Sequence, residues 1–122
     1  MKTVYIVDDS QVVRERLISL IAEVEGTTLA GATGEPAEAV AAIRRLRPDA
    51  VILDIRMPGM SGIQVLRQIK NDRPATVVIM LTNYPFEAYR RECAEAGADY
   101  FLHKSMEFDR INEILKTVVH SI

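Results

Sequence analysis

Two short stretches of this chain, Ala50-Val51-Ile52-Leu53 and Val77-Val78-Ile79-Met80-Leu81, are apolar at every position rather than at every second one. A half-exposed strand alternates apolar and polar residues. A strand that is apolar throughout has to be covered on both faces, as parallel strands are in an α/β sheet. Val4-Tyr5-Ile6-Val7 and Tyr100-Phe101-Leu102-His103 read as further strands, and Thr28 to Thr33 as a weaker one. Helical spacing fills the intervals: Val13, Leu17, Leu20, Ile21 and Val24; then Val40, Ile43 and Leu46; then Ile63, Leu66 and Ile69; then Phe86, Tyr89 and Cys93; finally Phe108, Ile111, Leu115, Val118, Val119 and Ile122. Five successive βα units predict one doubly wound α/β domain over residues 1–122, with helices on both faces of a parallel sheet.

The punctuation agrees with that reading. Ser10 can cap the first helix and Gly26 stop it; Pro36 opens the second; Arg47-Pro48-Asp49 breaks the chain before the third strand. Met57-Pro58-Gly59-Met60 is a turn, and Ser61-Gly62-Ile63-Gln64 has the spacing of a capping box. Arg73-Pro74 closes that unit, Pro85 opens the fourth helix, Gly97 ends it, and Ser105 precedes the fifth.

Four of the five strands end in a reactive side chain: Asp8 and Asp9, Asp54, Thr82 and Lys104. In an open parallel sheet, ligands bind just beyond the carboxyl ends of the strands. Three carboxylates, a hydroxyl and an ammonium are thereby expected to converge from four distant parts of the chain. Adjacent carboxylates repel and raise each other's pKa unless a cation intervenes, and Mg²⁺ takes one or two carboxylates together with waters and phosphate oxygens. Singly, each residue has an ordinary explanation: Asp8–Asp9 as a capping pair, Asp54 as a turn aspartate, Thr82 as a strand end, Lys104 as a solvated lysine. Their joint placement points to a cation-binding, phosphate-handling site.

Composition excludes other classes. With 122 residues the chain can bury a core without staples, and 48% hydrophobic with 26% charged residues is the globular average. A formal charge of −2 with no Lys/Arg block gives no support for nucleic-acid binding. Cys93 stands alone, so there is no disulfide framework, and it reads as a small buried hydrophobe. No signal peptide or bilayer-length apolar stretch is evident. The expectation is a soluble, cytoplasmic protein.

The motifs Ile6-Val7-Asp8-Asp9-Ser10, Leu53-Asp54-Ile55-Arg56-Met57-Pro58-Gly59-Met60-Ser61-Gly62, Met80-Leu81-Thr82 and Gly97-Ala98-Asp99-Tyr100-Phe101-Leu102-His103-Lys104 occur in this order. Together they resemble a response-regulator receiver domain, the CheY-like phosphoacceptor module of two-component signalling, over essentially the whole chain. The resemblance implies a flavodoxin-like five-stranded sheet of order 2-1-3-4-5, the order of the family's namesake. It implies Asp54 as the phosphoacceptor, a carboxylate nucleophile. It also implies Mg²⁺ as the cofactor, held by Asp9, Asp54 and the backbone carbonyl of Arg56, with Asp8 acting through water. Lys104 and Thr82 would contact phosphoryl oxygens, and Thr82 and Phe101 would form the switch. Arg56, Asn83 and Tyr84 occupy positions expected to tune the lifetime of the acyl phosphate. Implied partners are a histidine kinase or phosphotransfer protein, and a downstream protein or a second copy docking on the face of the fourth helix, fifth strand and fifth helix. No direct nucleic-acid or membrane contact is implied. The chain is expected to be a stand-alone regulator or the receiver of a longer one, the lack of a linker remnant after Ile122 favouring the former. It would be a switch with slow self-dephosphorylation, not an enzyme.

There are departures from the family pattern. Ser105 stands where relatives often have a proline in a cis bond; a cis bond before serine would cost about 2.5–4 kcal/mol, so either the bond is trans or the peptide is strained. Phe101 lacks a tyrosine's hydroxyl, and Asn83 is larger than the usual residue. His103 is read as a surface or partner-facing imidazole, and His120 as a contact to the last helix's carboxyl end. A haloacid-dehalogenase-type phosphatase also uses an aspartate and Mg²⁺, but its second acid, two positions on, is replaced here by Arg56 after Asp54 and by Ser10 after Asp8. A phosphorylation-independent pseudo-receiver interaction module is the alternative.

Overall fold

The computed structural model describes residues 1–121 of the chain. Strands and helices alternate: β1 (Lys2–Val7), α1 (Gln11–Glu23), β2 (Thr27–Thr33), α2 (Pro36–Leu46), β3 (Ala50–Leu53), α3 (Gly62–Asp72), β4 (Val77–Thr82), α4 (Glu87–Glu95), β5 (Tyr100–His103) and α5 (Arg110–Val119). All pairings are parallel and the sheet order is β2-β1-β3-β4-β5. β3 and β4 therefore sit inside the sheet, which is why their sequences do not alternate. The edge strand β2 carries exposed positions along its length and has the weakest sequence signal.

Successive side chains on a strand point to opposite faces, and this divides the core into two layers. On one face Tyr5, Val7, Val51, Leu53, Val78 and Met80 pack with Ala39 and Ile43 of α2, Val65, Leu66 and Ile69 of α3, and Cys93 of α4. On the other, Val4, Ile6, Ile52, Ile79, Leu81 and Leu102 pack with Leu17 and Ile21 of α1 and Ile111, Leu115 and Val118 of α5. Burial drives Cys93 up to about 11, so the thiol stays protonated.

Most helix starts follow the sequence signals. The Ser10 side chain accepts from the Val13 N–H, Pro36 occupies the first turn of α2, and Ser61 and Gln64 form the reciprocal capping box. Arg47 caps α2 in a left-handed conformation at φ 49°, just before the Pro48 break. Three expectations fail. The last helix begins at Arg110, not next to Ser105, because residues 104–109 form turns tied to the end of β5. Leu46 is 41% exposed, beyond the reach of the stripe set by Ile43. Phe86 is the N-cap of α4 and 56% exposed, so it is no part of that helix's buried line. Ile122, expected on the apolar face of the last helix, lies outside the described residues. Among those residues no helix is long and apolar enough to cross a membrane.

Candidate functional site

β1 and β3 are adjacent and in register from Val4 with Ala50 to Val7 with Leu53. The next residue of each strand is therefore an aspartate at the same height. Asp8 and Asp54 are both buried, at 1% and 5% exposure, while Asp9 is exposed. A carboxylate oxygen from each of the three lies within 4.8 Å of the others. The Asp8 carboxylate is steered by the Ser10 N–H at 2.9 Å, and that of Asp54 by the Ile55 N–H at 2.8 Å.

Lys104 leaves the end of β5 and crosses to this cluster. Its Nζ stands 2.8 Å from Asp8 Oδ2 and 3.2 Å from Asp54 Oδ2, and it is itself buried. The backbone locks this placement, since the Lys104 N–H donates to the Thr82 carbonyl at 2.8 Å. Thr82 is fully buried at the end of β4, its Oγ accepting from the Tyr84 N–H at 3.0 Å and leaving the hydroxyl proton available to donate.

The electrostatics are unbalanced. Burial and the neighbouring Asp8 charge push Asp54 up to about 6, although Lys104 and the Ile55 N–H pull the other way. Burial alone would lower Lys104, yet its bond to Asp8 and the two carboxylate charges prevail and raise it. One ammonium faces three carboxylates. Among the described residues, buried Asp8 Oδ2 is met by the Lys104 ammonium alone, and Asp54 shares that same ammonium. Three clustered carboxylates that share one ammonium fit a hard cation such as Mg²⁺.

The loop after Asp54 is tightly shaped. A Cβ on Gly62 would lie 1.7 Å from the Asp54 carbonyl oxygen, and the Gly62 N–H donates to the Ile55 carbonyl at 2.7 Å. Only glycine lets α3 start this close to the strand end. Ile55 and Met57 are buried beneath the loop and Arg56 is exposed.

Asn83 and Tyr84 are exposed beside Thr82, and the Arg56 guanidinium lies over the Tyr84 ring. Phe101 is half-buried, pairs with Met80, and carries the Arg90 guanidinium over its ring at 4.6 Å. The Lys104–Ser105 bond is trans, as no cis peptide occurs among the described residues. His103 is not a free surface imidazole. Its Nδ1 accepts the N–H groups of Ser105 and Met106, both at 3.1 Å, which organises the turn after Lys104. His120 is the C-cap of α5. Sequence reasoning missed Arg14, whose Nη1 donates to the Asp8 carbonyl at 2.7 Å and braces the acidic loop from α1.

Comparison with known proteins places the chain in one family. The model of the response regulator receiver domain matches residues 4–116. The transcriptional regulatory protein LnrK of Bacillus subtilis is 35% identical over 118 residues, which are 97% of this chain and 54% of LnrK. The response regulator domain of Thermotoga maritima CheB superposes with a TM-score of 0.84 at 31% identity, covering 97% of this chain and 93% of that one. A chain of the CheX-CheY-BeF3-Mg²⁺ complex from Borrelia burgdorferi gives 0.88 at 28% identity, with 98% of this chain and 90% of that one covered. The chain spans about half the length of the transcriptional regulators it matches.

Proposed function

The chain belongs to the response-regulator receiver family of two-component systems, and from that premise we propose that it is a phosphorylation-controlled switch with Asp54 as the acceptor. The single observation that carries the reading is the buried Asp54 carboxylate, set between Asp8 and Lys104 at the end of a central strand. A kinase or phosphotransfer phosphohistidine is the donor. An Asp54 oxygen attacks phosphorus, the P–N bond breaks, and the released imidazole nitrogen is left to take up a proton. Water later cleaves the acyl phosphate and regenerates the carboxylate with inorganic phosphate, so turnover is slow and the protein acts as a switch rather than as an enzyme.

The residues divide the work. Asp9, Asp54 and the Arg56 carbonyl would hold Mg²⁺, with Asp8 acting through water. The ion, when bound, offsets charge on the phosphoryl oxygens. Lys104 neutralises one phosphoryl oxygen, exchanging its bonds to Asp8 and Asp54 for it. Thr82 donates its free hydroxyl proton to another. Reaching that oxygen moves the Thr82 side chain, which also accepts the Tyr84 N–H, and so couples the site to the loop before α4. Arg56, Asn83 and Tyr84 border the site and set how readily water reaches it.

Phe101, under Arg90, follows Thr82, and the altered surface is that of α4, β5 and α5. A downstream protein or a second copy reads that surface, in a cytoplasmic setting, with residues 1–122 acting as one receiver unit. A receiver of either a stand-alone or a longer regulator would work in this way.

Intact-protein mass after incubation with Mg²⁺ and acetyl phosphate tests the reading. One added phosphoryl group, absent with EDTA and absent in Asp54→Asn, is the expected result. No adduct, with no Mg²⁺ binding by titration, would leave the interaction-only module. An adduct that persists in Asp54→Asn would move the acceptor to another carboxylate.

A further inference from the structure

The residues two positions past Asp54 and two past Thr82 meet in the structure. The guanidinium carbon of Arg56 lies 4.1 Å from the centroid of the Tyr84 ring. Because β3 and β4 are neighbours, this contact bridges the loop that leaves the acceptor and the loop that leaves Thr82. From Tyr84 the aromatic contacts continue outward, with ring centroids 6.1 Å apart to Phe86 and 5.7 Å from Phe86 to Tyr89. Tyr84 is 39% exposed and Phe86 56%, and no side-chain bond caps α4 where this strip reaches it. The strip is thus held by its own stacking and by one cation at its inner end.

That cation has a competing partner in prospect. An exposed guanidinium over a ring is weakly held, whereas a guanidinium hydrogen-bonded to phosphoryl oxygens is held by charge-assisted, bidentate bonds. We propose that Arg56 and Tyr84 form a two-position latch at the mouth of the acceptor. The guanidinium rests on the Tyr84 ring while Asp54 is unmodified, and transfers to the phosphoryl group once it forms. The transfer does two things. It places a cation and its stem between the acyl phosphate and water, lengthening the life of the adduct. It also removes the inner support of the Tyr84–Phe86–Tyr89 strip, so the loop before α4 changes its stacking along with the Thr82 rearrangement. The inference rests on Asp54 carrying the phosphoryl group, and it adds a second route from the acceptor to α4 that does not pass through Thr82.

Two measurements on the full chain decide it. The first follows the ring resonances of Tyr84 and Phe86 by NMR as beryllofluoride and Mg²⁺, a phosphoryl mimic, are added to the wild type and to Arg56→Gln. In the wild type both rings shift. In Arg56→Gln the Tyr84 ring already sits near its released position and shifts less than in the wild type, by what the Thr82 rearrangement alone imposes. The second is a double-mutant cycle on the rate of phosphoryl loss, read by intact mass. Arg56→Gln and Tyr84→Leu each change that rate, Arg56→Gln accelerating it at least threefold, and the double variant loses phosphate no faster than Arg56→Gln alone. Tyr84→Phe keeps the ring face and retains the coupling. Both side chains are exposed, so the variants fold. Equal ring shifts with and without Arg56, or rates that simply multiply, overturn the latch while leaving the acceptor intact. A wild type that takes neither beryllofluoride nor phosphoryl overturns the acceptor reading and the latch with it.

Discussion

The loops that leave β3 and β4 stand side by side at the site and are built in opposite ways. The β3–α3 loop is fastened at nearly every step. Asp54 bonds the Ile55 N–H, Gly62 bonds the Ile55 carbonyl, Ile55 and Met57 are buried, and α3 opens with a two-way capping box. The β4–α4 loop is tied more lightly, by the Tyr84 N–H to Thr82 Oγ and the Phe86 N–H to the Tyr84 carbonyl. Asn83, Tyr84, Pro85 and Phe86 are all exposed, α4 starts without a side-chain cap, and Cys93 is its single fully buried residue. The difference teaches where a switch has to be firm and where it has to yield. The proposed acceptor role asks for a fixed carboxylate geometry for in-line attack. The element that reports on it needs states of similar free energy, which follows from few buried contacts and weak termini.

The sharpest way to break the comparison is at Gly62. Because a Cβ there would lie 1.7 Å from the Asp54 carbonyl, Gly62→Ala forces backbone apart and is expected to cost more than about 3 kcal/mol. Urea unfolding measures it; a loss of under 1 kcal/mol would mean the β3–α3 loop is far more yielding than described.

Next in size is the acceptor. Since Asp54 titrates at about 6 in the folded protein against 3.8 unperturbed, the native state binds this proton more tightly than the unfolded chain does. The resulting penalty is absent below pH 4, grows as pH rises to 6, and is fully present above it. At pH 7.5 in EDTA, Asp54→Asn is therefore expected to be more stable than the wild type by about 3 kcal/mol. The gap should close at pH 4, and Mg²⁺ at pH 7.5 should narrow it by stabilising the wild type. Paired urea curves check the sign, and a gap that widens toward acid would refute the assignment.

Smaller effects sharpen the contrast at the two helix starts. Ser61→Ala removes a working cap from α3 and should cost about 1 kcal/mol, read as a lower urea midpoint. Phe86→Ser offers α4 the cap it lacks, so its amides should exchange more slowly by up to about 1 kcal/mol of protection. Unchanged exchange would show that α4 is already held by something other than its terminus.

The contrast also explains which parts were legible beforehand. Features written in local chemistry came through: the capping box at Ser61 and Gln64, Pro36 at a helix start, the all-apolar runs of the inner strands, and the acidic and basic strand ends. The sheet order came from family likeness, because strand runs do not say which neighbours which. The misreadings fall where a residue is governed by a partner rather than by its own type. Ser105 looks like a cap, but its N–H is taken by the His103 imidazole and α5 waits until Arg110. Phe86 sits at helical spacing from Tyr89 and Cys93, yet it precedes the first helical turn and turns outward. Arg14 has no sequence mark, because its target is a backbone carbonyl. The cation–π pairing of Arg56 with Tyr84 joins two loops distant in sequence and has no periodicity to announce it.

The contact between Gly62 and the Asp54 carbonyl bears on how such a chain would decay under relaxed selection. The carboxylate proposed to carry the chemistry is, with no cation beside it, a burden on the fold, whereas the glycine eight positions later has no chemistry and no substitute. A lineage freed from signalling would therefore shed the aspartate early and gain robustness, and would keep the glycine to the end. In a degenerate descendant, the ancestry would be written at position 62 long after it had been erased at position 54.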